Sequence, residues 1–132
     1  MESHDIAPEE HVDEEVLSEL FSLLDDGTTD GLIGVCDLFL VGAPTSLADI
    51  EHALAGQRLD EVRRLAHTLR GTAGAFGALR LGVLAGQLED ACRGSDAGPA
   101  AGAIVEEMQA EYEIFRAILT SRLAAFPASS PA

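Results

Sequence analysis

Residues 66–81, AHTLRGTAGAFGALRL, decide the fold, because they carry a helical period through residues that oppose a helix. With Val62 and Leu65 before them, Ala66, Leu69, Ala73 and Phe76 form an apolar stripe that predicts a helix starting near Leu59 or Asp60. Gly71 and Gly74 lie in its interior, where each costs about 1 kcal/mol relative to alanine. Gly77 is placed to cap the C-terminus. At about 100° per residue, Leu65 and Leu69 stand about 160° from His67 and Phe76 about 180°, so His67 points away from the core. Arg63, Arg70, Gly71 and Gly74 fall within roughly 60° of it, and Arg64 shares that side. The two glycines therefore predict a bare landing area, where another protein's surface can approach the imidazole.

The helical period continues on both sides. HVDEEVLSELFSLLDD places Val12, Val16, Leu17, Leu20, Phe21 and Leu24 on one stripe, with Asp13 as N-cap and acids in the first turn. A second helix is predicted from about Leu32 to Ala55, with Leu32, Cys36, Phe39, Leu40, Leu47, Ile50 and Leu54 inward and a kink or break at Pro44. A fourth runs from about Leu79 to Arg93 on Leu81, Leu84, Leu88 and Ala91 or Cys92. The last runs from about Ala100 to Ala125 on Ile104, Met108, Tyr112, Phe115, Leu119 and Leu123. No stretch alternates with period two. The expected fold is all-α: an antiparallel four-helix bundle built from the second to fifth helices, with an additional short N-terminal helix across one end. The domain is expected at 12–125, between a flexible N-terminus (1–11) and a disordered tail (126–132).

Composition removes whole classes of function. A chain of 132 residues suits one core. The formal net charge of −15 argues against nucleic acid and against anionic membrane surfaces as partners. Lysine is absent, so there is no P-loop, Schiff-base or kinase lysine. No apolar run is read as approaching the roughly 18 residues of a membrane span, and the acidic N-terminus does not resemble a signal peptide, so the expected location is the cytoplasm. Cys36 and Cys92 lack ligand spacing and read as reduced thiols at the core. His4 and His11 lie among acids that could hold a metal adventitiously, and His52 reads as a surface residue. Asp25, Asp26 and Asp30 lack the ligand spacing of a calcium loop.

A free imidazole titrates near pH 6.5, so much of it is neutral and nucleophilic at pH 7. It can accept a phosphoryl group on a ring nitrogen, and arginines one turn away can neutralise the charge. On these residues alone, His67 reads either as a phosphoryl carrier or as an ordinary solvated histidine beside solvated arginines.

The segment HTLRGTAGAFGALRL resembles the signature of histidine-containing phosphotransfer (HPt) domains through His67, Leu69, Arg70, Gly71, Phe76 and Gly77. DLFLVGAPTSLADIEHAL and LAGQLEDACRGSD are similar to the family's second and fourth helices, so the likeness spans about residues 13–123. Arg70 stands where the family more often has Lys, which keeps charge and changes shape. Ala75 stands where a polar residue is frequent. The resemblance implies a relay in which His67 takes a phosphoryl group from the aspartate of one response-regulator receiver domain and passes it to another. Arg70 would stabilise the phosphate, and Arg63, Arg64, Gly71 and Gly74 would meet the partner. It implies a phosphoryl carrier without autonomous catalysis, either free-standing or a module of a hybrid histidine kinase. A monomer is expected, with no cofactor or metal of its own and with Mg²⁺ on the receiver. The competing readings are a helical adaptor or inhibitor that is never phosphorylated, and a phosphoacceptor fragment of a histidine kinase. The second would need an ATP-binding domain for which the chain has no room.

Overall fold

The computed structural model describes residues 8–24, 30–94 and 97–126. His4, Asp25, Asp26, residues 1–7 and the tail from 127 onward lie outside them. The helices are α1 (Pro8–His11), α2 (Glu14–Leu23), α3 (Asp30–Ala55), α4 (Leu59–Ala75), α5 (Leu79–Ala91) and α6 (Ala97–Ala125), with no strand among the described residues. The four long helices pack in a ring, α3 on α4, α4 on α5, α5 on α6 and α6 on α3. Their apolar stripes meet in one core around Phe39, Phe115, Leu69, Leu81, Leu88 and Met108. Cys36 and Cys92 are buried and free, and burial pushes the Cys36 thiol up to about 11.

Of the kink or break expected at Pro44, the break does not occur: α3 continues as one helix through it. Proline removes the N–H that would reach the carbonyl of Leu40, four residues back. That carbonyl instead accepts a hydrogen bond from the Tyr112 hydroxyl on α6, at 3.0 Å. The vacancy in one helix is thus filled by its neighbour. The helix α6 starts earlier than expected, at Ala97, because Pro99 falls in its first turn, where no N–H is needed. The composition of Asp30–Ala55 also corrects the reading that no segment approaches a membrane span: by length and apolarity this helix qualifies. Seven of its residues, from Leu32 to Ala53, are buried in the bundle.

The helix α2 packs across one end of the bundle. Asp13 caps it, its Oδ1 accepting from the Val16 N–H at 3.2 Å. Glu14 accepts two bonds from Arg122 near the end of α6, at 2.8 and 2.7 Å. The Arg122 hydrogen bond holds the Glu14 carboxyl below its ordinary range, so this tie is intact at neutral pH and is lost as acid protonates Glu14. Phe21 meets Phe126 edge to face, with ring centres 5.3 Å apart.

The α4–α5 turn fixes where α2 sits. Gly77 has φ +77° and follows the C-cap Phe76. Its N–H bonds the Gly74 carbonyl, and Ala78 N–H bonds Ala73 at 2.8 Å, closing a Schellman turn. Asp13 N–H then bonds the Gly77 carbonyl at 2.8 Å. A Cβ on Gly77 would stand 3.0 Å from the Asp13 carbonyl oxygen, so both conformation and space demand glycine. Residues 8–11, expected to be flexible, form one helical turn. His11 Nδ1 lies 2.6 Å from the buried carboxylate of Glu111, which holds this turn on the bundle.

Candidate functional site

His67 lies two turns into α4 with 62% of its side chain exposed, as its place opposite Leu65, Leu69 and Phe76 requires. Gly71 and Gly74 lie beside it, and a Cβ built on either meets no atom within 4 Å. Neither glycine is there for packing, and the bare surface expected from the sequence is present.

The imidazole is nevertheless not free. Its Nδ1 lies 2.9 Å from Oε2 of Glu89 on α5, a residue that sequence reasoning missed. Glu89 is 6% exposed and stands at the edge of the α5 stripe of Leu81, Leu84, Ala85 and Leu88. An ionised carboxylate only accepts, so Nδ1 carries the proton and donates it. Nε2 is then the atom with a lone pair. The signal was in the sequence: Glu89 lies about 40° around the helix from Ala85, so a charge falls on the edge of a buried face, where it needs a partner.

The expected arginine patch is divided in two. Arg63 and Arg64 share a hollow with His67, Thr68 and Glu89, each in a loose ion pair with an acid one turn back: Asp60 at 3.7 Å and Glu61 at 3.8 Å. Arg70 turns the other way, towards α5, where its Nη1 is 3.5 Å from Glu89 Oε1. The space for it comes from Gly86, where a Cβ would stand 3.3 Å from the Arg70 Cδ. Around Arg70 a shallow groove runs between α4 and α5, with Gly74, Gly82 and the exposed Leu79 and Val83 along it. His67 therefore sits on a ridge with a basic hollow on one side and a largely apolar groove on the other. His11 is tied to Glu111, and His52 is an exposed residue on α3. Among the described residues no cluster of His, Cys, Asp or Glu is arranged to hold a metal ion.

In comparison with protein families, residues 34–118, well over half of the chain, match the Hpt domain. The chain belongs to the Hpt domain family. No curated protein matches it. Hpt domains are helical bundles that carry phosphoryl groups on histidine in two-component phosphorelays, and they work with receiver domains and kinases as carriers rather than catalysts. The match runs from α3 into α6 and so includes His67, Arg70, Gly71 and Glu89.

Arg70 is half exposed and one turn from His67, where it would reach a phosphoryl group if that imidazole carried one. Arg70→Ala is expected to slow transfer from a receiver about five- to thirty-fold, the worth of a charge-assisted contact of roughly 1–2 kcal/mol. Arg70→Lys is expected to transfer at close to the wild-type rate, and the Ala defect should shrink at high salt. Transfer rates of both variants at low and high salt check this. Lys as poor as Ala would mean that the planar fork is needed. A harmless Ala would remove Arg70 from the site.

Proposed function

We propose that His67 is the phosphoacceptor of this Hpt domain, and that it takes a phosphoryl group from one receiver aspartate and gives it to another. The observation that carries the reading is the pairing of an exposed imidazole with a buried carboxylate: Glu89 occupies Nδ1 and leaves Nε2 free on a bare helix face. A helical adaptor would have no use for that arrangement.

The receiver presents its aspartyl phosphate, with the Mg²⁺ that belongs to it. The Nε2 lone pair attacks phosphorus in line, an N–P bond forms, and the P–O bond to the aspartate breaks with its electrons left on that carboxylate. The proton on Nδ1 stays, and the positive charge that the ring acquires faces Glu89. Arg70 neutralises the phosphoryl oxygens. The reverse step, to a second receiver, uses the same contacts. The expected partners are receiver domains and a hybrid histidine kinase, with a cytoplasmic monomer as the carrier and neither nucleic acid nor membrane involved.

The test is transfer from a panel of phosphorylated receiver domains to wild type and to Glu89→Gln. Gln keeps an acceptor for the Nδ1 proton and loses the charge, so transfer should fall about ten-fold with the fold unchanged. No labelling of wild type by any receiver would refute the reading. Unchanged transfer by the Gln variant would refute the role of Glu89.

A further inference from the structure

Two arginines stand off Glu89 without hydrogen-bonding it. Arg70 Nη1 is 3.5 Å from Oε1, and Arg93 Nη2 is 3.7 Å from Oε2. Oε1 accepts no hydrogen bond from any described residue, although the side chain is only 8% exposed. A buried carboxylate in this condition depends on nearby positive charge to remain charged. The two arginines differ in what holds them. Arg70 comes from α4, one turn after His67, and its half-exposed head lies over Gly86. Arg93 follows Glu89 by one turn on the same chain segment and is anchored by Asp90, whose Oδ1 accepts from its Nη1 at 2.6 Å. A phosphoryl group on Nε2 would bring nearly two negative charges close to Glu89 and would compete with it for Arg70.

We propose that Arg93 is a positioning residue: anchored by Asp90, it holds positive charge beside Glu89 when Arg70 leaves for the phosphoryl group, and so keeps the carboxylate ionised and the Nδ1 proton in place. This rests on the phosphotransfer reading above. The consequence falls on the onward step. With the proton on Nδ1, the phosphorylated ring is cationic, and it departs from phosphorus as a neutral imidazole when the next aspartate attacks. If Glu89 lost its compensation and took that proton, the ring would have to depart as an anion, which is far slower. Arg93 makes and breaks no bond itself.

The experiment starts from phosphorylated protein and follows loss of label to an excess of unphosphorylated receiver. Wild type, Arg93→Ala, Arg93→Lys, Glu89→Gln and the Glu89→Gln/Arg93→Ala double variant are compared, each with a thermal melt. Arg93→Ala is expected to donate about two- to five-fold more slowly, as suits the loss of a partly exposed ion pair. Arg93→Lys should restore the rate. In the Glu89→Gln background, Arg93→Ala should cost nothing further, because the charge it serves is gone. Wild-type donation by Arg93→Ala, an equal loss in both backgrounds, or a loss that follows a lowered melting temperature would overturn the proposal. Wild type that accepts no phosphoryl group would instead remove the phosphotransfer reading on which it rests.

Discussion

His67→Gln protein stays folded and takes no label from a phosphorylated receiver. The side chain is largely exposed, so its replacement disturbs no packing, and the Gln amide can still donate to Glu89. What is lost is the imidazole, the one nitrogen nucleophile among the described residues that line this hollow. Neither His11 nor His52 replaces it: His11 has its Nδ1 on Glu111 and is 12% exposed, and His52 lies on a different helix. On wild type the label should be acid-labile and base-stable, as a phosphoramidate is. Circular dichroism of the variant and a transfer assay on the same preparation check both halves, and full labelling of the Gln variant would end the assignment.

Gly71→Leu should separate docking from stability. Nothing lies within 4 Å of a Cβ at Gly71, so the leucine enters open space in the isolated protein. Exchange of an interior helix glycine for leucine favours the helix by roughly 0.5–1 kcal/mol, so the melting temperature should hold or rise. The new side chain stands one turn from His67, on the face proposed to receive the receiver domain. Displacing the phosphorus by about 1 Å is enough to cost on the order of 100-fold in transfer rate. A melting curve and a transfer time course on the same variant decide the matter. A less stable protein would mean that Gly71 packs against something, and a normal transfer rate would mean that the receiver approaches from elsewhere.

The bundle was legible in the sequence because each long helix repeats its apolar residues at helical spacing, and α4 was placed to within a residue by that stripe and by Gly77. The continuity of α3 was not legible. Pro44 argues locally for a break, and the hydroxyl that repairs the missing bond belongs to Tyr112, which is 72 residues away. The exposed histidine and its bare glycines could be read from one helix, since they share its face. Glu89 could not be paired with His67 in this way, because the two meet only when α4 packs on α5. The direction of Arg70 was hidden for the same reason: it depends on Gly86, which belongs to the neighbouring helix.

One reactive nitrogen on one open ridge has a consequence for traffic. A receiver that covers Gly71 and Gly74 covers His67 as well, so on this reading donor and acceptor cannot be bound together. The carrier must shed the first before it meets the second, and its turnover follows ping-pong kinetics. Each visit ends only when the partner dissociates, so affinity beyond what alignment requires lowers the flux. Selection on such a face favours short residence over tight grip, and a variant with improved receiver affinity would be a slower relay.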